Sequence, residues 1–201
     1  MSEDEKKITD EDIIGMADAP EAPAPAQEER NTEQLGDQVE RDIPKPIDES
    51  KLADLKDDEY IGDYLITKGQ LLAWKDKYPH SRFSYFEYFD VPYVIRSYTW
   101  GDFEEYNNKL SGLLREAQEK KKAELLKDNP NMKPEEIGQI LDRMFVQPRI
   151  QNYHFLQMVV CTPEDIPERL MRKEIDAGLP AAIIDLAHRS SGFGEIQADI
   201  L

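Results

Sequence analysis

The residues able to do chemistry in this 201-residue chain lie far apart in sequence. Its three histidines, His80, His154 and His188, have no partner at the spacing that metal sites use. His154 stands in an apolar run, which is typical of a hydrogen-bonded core histidine. The one cysteine, Cys161, follows two valines and is typical of a small buried apolar residue. These residues therefore predict neither a metal site nor a nucleophile.

The short motifs of known enzyme classes are also missing from the sequence. No serine stands in a Gly-x-Ser-x-Gly turn, and no Gly-Lys-Ser/Thr is available to hold a phosphate. Residues 192–194 read Gly-Phe-Gly but lack the third glycine and the preceding strand of a dinucleotide loop. With 42 acidic residues, close carboxylate pairs arise by chance. We predict no catalytic, cofactor-binding or metal-binding residues.

Aromatic residues concentrate in residues 83–108, and the other elements are organised around this stretch. They alternate as on a strand with two partly covered faces, Phe83, Tyr85 and Phe89 on one face and Phe86 and Tyr88 on the other. Asp90 and Pro92 favour a turn, and residues 93–96 form a return strand. The pattern predicts a β-hairpin at about 83–97.

A long amphipathic helix follows the hairpin, at about 100–128. Thr99 is placed to cap it, with Asp102 three residues later as the short form of a capping box. Apolar residues then recur every three or four positions. Further helices are predicted at about 134–146, 150–161, 163–177 and 180–190. Residues 153–161 are apolar almost throughout, so they fit either a helix, which we favour, or a buried strand. Thr162 and Gly178 are the expected cap and end of the helix at 163–177.

Residues 1–58 differ in composition from the rest. Residues 1–60 hold 20 acidic and 7 basic residues, and residues 1–59 contain no Phe, Tyr or Trp. Such a segment buries too little apolar area to offset its ordering entropy. The predicted fold is therefore α+β, an aromatic β-hairpin packed on a mostly helical body (59–201), with a disordered acidic N-terminal arm (1–58).

The net charge of −17 argues against nucleic acid or an anionic membrane as a partner, because both require a basic surface. No apolar run approaches the roughly 20 residues that span a bilayer. The first ten residues lack the basic start and apolar stretch of a secretion signal. A single cysteine fits a reducing compartment. We expect a soluble protein made inside the cell.

Two groups of apolar residues are candidates for binding a partner protein. Phe86 and Tyr88 lie on the second face of the hairpin, which is either ordinary core or a contact surface. If it is a contact surface, changing both residues to serine should abolish function and leave the fold largely intact. Ile13, Ile14 and Met16 form an apolar cluster in the acidic arm, which is either a solvated leader or a peptide that orders on a partner.

Three motifs, in their order, resemble a family of small tail-module proteins of tailed bacteriophages. Residues 93–103 read YVIRSYTWGDF, a strand followed by Arg-x-x-Thr and then by the aromatic residue Phe103 at the start of a helix. Residues 159–165 read VVCTPED, an apolar run ending in a Pro-acid turn. Residues 177–180 read AGLP, followed by a helix and Ser-Gly-Phe. The family comprises tail assembly chaperones and baseplate-hub assembly proteins, and it has no catalytic residues to carry over.

The resemblance implies a non-enzymatic bacteriophage tail or baseplate assembly or structural protein that acts through protein–protein contacts. Its expected partners are other phage tail or baseplate proteins, and self-association is left open. It is expected in the host cytoplasm during assembly, and retention in the virion tail is left open. The alternatives are a head-related scaffold or decoration factor and, from another class, a small hydrolase or regulatory enzyme around His154 or Asp185.

Overall fold

A computed structural model of the chain describes residues 13–16, 45–62 and 64–192. The described elements, in chain order, are β1 (Ile14–Met16), β2 (Lys45–Pro46), the 3₁₀-helix η1 (Glu49–Asp54), α1 (Lys68–Lys77), β3 (Phe83–Tyr88), β4 (Val91–Arg96), α2 (Trp100–Asp128), α3 (Pro134–Leu141), β5 (Met144–Val146), α4 (Pro148–Val159), β6 (Val160–Thr162), α5 (Ile166–Met171) and α6 (Gly178–Ser190). Helices accompany small antiparallel sheets, which confirms the predicted α+β class.

Contacts divide the chain into two compact units that alternate along the sequence. Among the described residues, the first unit combines 13–16 with 105–151, and the second combines 45–62 and 64–104 with 152–192. In the first unit, β1 pairs with β5 in a two-stranded sheet. In the second unit, the strand order β2-β3-β4-β6 forms a four-stranded antiparallel sheet.

The β-hairpin is the centre of the second unit, as predicted. Strands β3 and β4 pair from Phe83 opposite Arg96 to Tyr88 opposite Val91. Two residues, Phe89 and Asp90, connect them, with φ angles of 49° and 58°. Both values lie in the left-handed region, which is the signature of a type I′ turn.

Both faces of the hairpin are covered within the second unit. The first face belongs to a core cluster of Ile47, Ile61, Ile66, Leu71, Phe83, Val94 and Cys161. On the second face, α6 packs against β4, and the hydroxyls of Ser84 and Ser190 lie 3.4 Å apart. The adjacent residues Val94 and Ile95 point to opposite faces, and both are fully buried. The hairpin therefore lies between two layers.

The folded part begins earlier than the predicted residue 59. Residues 45–58, assigned to the acidic arm from the sequence, carry β2, η1 and the buried Ile47. Leu52 and Leu55 pack against the same core cluster. A few apolar residues suffice here because they join a core that the hairpin has already built. Residues 1–12 and 17–44 of the predicted arm lie outside the described residues.

Four predicted helix boundaries are corrected by the structure. The helix at 134–146 ends at Leu141, and residues 144–146 form β5. The run 153–161 is helical to Val159 and then becomes strand β6. Thr162 therefore ends a strand and does not cap a helix, and α5 covers only Ile166–Met171. Gly178 begins α6 and does not end the preceding helix.

Candidate functional site

The structure places Phe86 in the core of the second unit, which is the first of the two alternatives given for this face. Its side chain is 4% exposed, and its ring stacks on that of Tyr93 with centroids 5.2 Å apart. These two residues are directly opposite each other on β3 and β4. The ring stacking and the burial account for the position of Phe86 without any partner.

Tyr88, on the same face, lies closer to the turn and is half-buried. Its hydroxyl donates a hydrogen bond of 2.9 Å to Oδ1 of Asp176, just before α6. The same oxygen accepts the backbone N–H of Gly178 at 2.7 Å. These hydrogen bonds, the one from Gly178 foremost, lower the pKa of the Asp176 carboxyl, and the bond to Asp176 raises the pKa of Tyr88. Tyr88 therefore ties the hairpin to the start of α6.

Gly178 is required by this arrangement. A Cβ atom at position 178 would lie 2.7 Å from the Tyr88 hydroxyl oxygen and 3.1 Å from Oδ1 of Asp176. Both distances are shorter than a carbon–oxygen contact. Only glycine lets the backbone come this near to the hydrogen-bonded pair.

The exposed apolar surface of the hairpin is at its turn. Phe89 is 79% exposed and Val91 is 41% exposed. The Phe89 ring meets the Tyr88 ring edge to face, with centroids 4.7 Å apart. We call Tyr88, Phe89 and Val91 the tip surface. It forms a projecting apolar group, held in place from one side by the bond between Tyr88 and Asp176.

Carboxylates border the tip surface. Glu87 and Asp90, its immediate neighbours in sequence, are exposed, and Asp176 lies against Tyr88. The Tyr85 hydroxyl donates a hydrogen bond to Glu87. The arrangement is an apolar centre with an acidic rim. It matches a partner surface that has an apolar pocket edged by basic residues or N–H donors.

The second predicted group, Ile13, Ile14 and Met16, lies in the first unit. These residues form or flank β1, where Ile13 and Ile14 are half-buried and Met16 is 50% exposed. The structure therefore brings Phe86 and Tyr88 together on β3, whereas Ile14 and Met16 are in β1, which pairs with β5.

Sequence reasoning missed a buried charged cluster between β4 and α2. Arg96 is 4% exposed, and its guanidinium carbon lies 3.9 Å from the ring centroid of Tyr78. Its two terminal nitrogens donate to both carboxylate oxygens of Asp102, at 2.9 and 3.1 Å. Asp102 also accepts the backbone N–H of Thr99 at 2.7 Å, which confirms the predicted capping box. The available signal was the spacing of Arg96, Thr99 and Asp102 in the sequence, because this spacing brings the three side chains within hydrogen-bonding distance at the start of the helix.

Asp102 is strongly stabilised as an anion. Burial alone would raise its pKa, but hydrogen bonds from Arg96 and Thr99 outweigh that effect and lower the pKa of the carboxyl to about 2. The ion pair and the capping box together hold the end of β4 to the first turn of α2. Its role is positional.

A second missed cluster surrounds Tyr98. Its ring contacts those of Phe103, Phe155 and His188, and its hydroxyl is hydrogen-bonded to Nδ1 of His188. Burial raises the pKa of Tyr98 to about 12 and lowers the pKa of His188. The Tyr98 backbone N–H donates to the Ser191 hydroxyl at 2.9 Å. These contacts fix the C-terminal end of α6 to the chain that follows β4.

The other groups considered for chemistry have local structural contacts. Burial raises the pKa of the Cys161 thiol to about 12, which favours the protonated thiol at neutral pH. His154 Nδ1 lies 3.2 Å from Oε1 of Gln157 on the same helix. Asp185 forms an ion pair of 2.8 Å with Arg189, one turn later. Among the described residues, no three His, Cys, Asp or Glu side chains converge as metal ligands do.

No protein-family model, no curated protein and no solved structure matches this chain. Of the helices in the described ranges, none is both long and apolar enough to cross a bilayer.

Proposed function

We propose that this chain is a non-enzymatic bacteriophage tail or baseplate assembly or structural protein that acts through protein–protein contacts. The motif resemblance of residues 93–103, 159–165 and 177–193 supports the proposal. The structural observation that carries it is the tip surface, with its exposed Phe89. Its partners are other tail or baseplate proteins, and its place of action during assembly is the host cytoplasm.

The turn conformation is the reason to assign function to Phe89. Position 89 has a φ of 49°, where an L-residue with a large side chain is disfavoured by about 1–2 kcal/mol. Asn, Asp or Gly would form the same type I′ turn at lower cost. An aromatic residue at this position gains no burial in return, because 79% of it is exposed. A contact made outside the chain would use the ring that folding leaves uncovered.

The energetics of interfaces agree with this role. Aromatic side chains that enter a partner's pocket dominate binding, and their removal costs on the order of 2–4 kcal/mol. The two strands and the bond between Tyr88 and Asp176 hold the tip surface before binding, so little ordering entropy is lost. The acidic rim of Glu87 and Asp90 selects partners with basic residues around the pocket.

The test is the variant Phe89→Asn in a phage that lacks the gene for this chain. Asparagine tolerates the left-handed conformation, so the variant should unfold at the same temperature as the wild type or higher. It should nevertheless fail to restore tailed particles, because the aromatic anchor is gone. Phe89→Tyr, which keeps the ring, should restore them.

The matched control is Leu72→Asn, which removes a large exposed apolar residue from α1, away from the turn. Leu72 is 39% exposed, similar to Val91. This variant should support normal particle yields. If Phe89→Asn is folded and yields as many infectious tailed particles as Leu72→Asn, the tip surface is not the working surface. Mass spectrometry of purified virions then separates a transient assembly factor from a retained tail component.

A further inference from the structure

The short strand β1 is recognised by β5 in a sequence-specific way. Ile14 lies opposite Val146, Gly15 opposite Phe145 and Met16 opposite Met144. Gln147 extends the pairing, since its backbone N–H donates to the carbonyl of Ile13 at 2.8 Å. Its side-chain amide reaches the carbonyl of Ile14 at 3.5 Å. Strand β5 together with Gln147, which we call the acceptor, therefore binds a four-residue peptide, 13–16.

Gly15 at the centre of this peptide lets the Phe145 ring cover the backbone. A Cβ atom at position 15 would lie 2.4–2.9 Å from three carbons of the Phe145 ring. The ring thus lies across the backbone of Gly15, and a side chain at this position would require the ring to move aside. On β5 itself, Met144 and Val146 are buried, so the acceptor strand is anchored in the first unit.

Strand β1, which we call the donor strand, is weakly held and lies far from β5 in the sequence. Three cross-strand pairs contribute roughly 0.2–1 kcal/mol each, so the pairing is reversible. Between Met16 and Lys45 the chain has 28 residues, a stretch that can reach at most roughly 100 Å. That reach is sufficient for the peptide to meet the β5 strand of another molecule.

We propose that β1 is exchanged between copies of this chain, so that residues 13–16 of one copy pair with β5 of a second copy. Every copy carries one donor and one acceptor, and the exchanged pair has the same hydrogen bonds and the same Gly15–Phe145 contact as the internal one. The protein concentration therefore decides between internal and exchanged pairing. Exchange is favoured when the concentration of copies reaches the effective concentration of the internal β1, which is in the mM range for a flexible linker. Head-to-tail exchange of this kind links copies into rings or rows.

The experiment uses two full-length variants that each carry one introduced cysteine. Tagged Ile14→Cys is mixed with untagged Val146→Cys, and the mixture is oxidised mildly at several concentrations. Positions 14 and 146 are a non-hydrogen-bonded pair, since the bonded pair is Ile13 with Gln147, and such pairs bring the side chains closest. Internal pairing cannot link these chains, because each holds one of the two cysteines. The native Cys161 is buried and stays in both variants.

We expect a disulfide-linked heterodimer whose yield rises with concentration and exceeds the control by about tenfold, as effective-concentration arguments predict. The control replaces Val146→Cys with Gln139→Cys, an exposed position on α3 outside the register. Adding Gly15→Val to the tagged chain should remove the excess. The pair Met16→Cys and Met144→Cys repeats the test if Val146→Cys does not fold. A yield equal to the control, or one that Gly15→Val leaves unchanged, overturns the proposal.

Discussion

Arg96 binds both carboxylate oxygens of Asp102, Nη2 to Oδ1 at 2.9 Å and Nη1 to Oδ2 at 3.1 Å, across the junction of β4 and α2. Bidentate pairs of this kind are strong and directional. The junction also contains the Tyr78 ring beneath the guanidinium and the capping Thr99. The end of the strand and the first turn of a 29-residue helix are thereby held together by one ion pair.

This ion pair predicts a loss of stability in acid. The folded-state pKa of Asp102 is about 2, below its ordinary value of 3.8. Its contribution is therefore present above pH 4 and is lost as the pH falls from about 4 to 2, by about 2 kcal/mol. Urea midpoints should show Asp102→Asn well below the wild type at pH 6 and nearly equal to it at pH 2. An exposed change on the same helix, Glu119→Gln, serves as the control. A difference in urea midpoint between the wild type and Asp102→Asn that is as large at pH 2 as at pH 6 would contradict the stabilising role of the Asp102 carboxylate.

Gly178→Ala should loosen the hairpin from α6. The new methyl group would lie 2.7 Å from the Tyr88 hydroxyl oxygen, so the bond from Tyr88 to Asp176 must break. Chemical denaturation should give a lower urea midpoint than for the wild type. Tyr88→Phe removes the same bond without the clash. If the mechanism is correct, combining both changes should cost little more than Tyr88→Phe alone. Full additivity would contradict it.

Phe86→Ala should destabilise the protein far more than Leu113→Ala. Phe86 is buried and stacked, and truncation of such a residue costs about 3–5 kcal/mol. Leu113 is half-buried, and α2 has no buried residue, so its truncation should cost on the order of 1 kcal/mol. Equilibrium unfolding in urea measures both. Equal losses of unfolding free energy in the two variants would contradict the placement of Phe86 in the core and of Leu113 in a half-buried position.

His188 predicts a second, milder pH dependence. Burial lowers its pKa below the ordinary 6.5, while Asp185 acts in the opposite direction. The unfolded state therefore binds the proton more readily, and stability should fall as the pH drops below about 6.5. His188→Gln should flatten this part of the profile between pH 7.5 and 5. An NMR titration that places the imidazole pKa above 6.5 would reverse the sign and contradict the prediction.

Local signals in the sequence were sufficient for the hairpin and for the start of α2. Alternating aromatic residues define β3, and the capping box of Thr99 and Asp102 lies within four consecutive residues. Such features depend on neighbours in sequence, so the pattern contains the information that decides them.

The elements that were predicted incorrectly depend on distant partners. Residues 144–146 continue an apolar helical pattern, but they form a strand because β1 pairs with them from the other end of the chain. Thr162 has the neighbours of a helix cap, yet its pairing with Val94 takes precedence. Phe86 is buried because α6, some 90 residues later, covers that face. A single sequence contains no record of these contacts.

The exposed tip was missed for a related reason. The alternation assigned Phe89 to the same face as Phe83 and Tyr85, whereas the turn takes it out of the strand. Phe89 and Asp90 are the two residues between the paired Tyr88 and Val91, which is the spacing of a two-residue turn. That spacing is visible only after the register is known.

The sequence distance between β1 and β5 also determines the order in which the two strands are synthesised. Ile14 leaves the ribosome 132 residues before its partner Val146. At a translation rate of about 5–20 residues per second, a new chain carries an unmatched β1 for roughly 7–26 seconds. During that interval its own β5 does not yet exist, so a β5 strand is within its reach only on a finished molecule whose own β1 has separated. A nascent strand β1 can therefore enter the exchange before it has an internal partner.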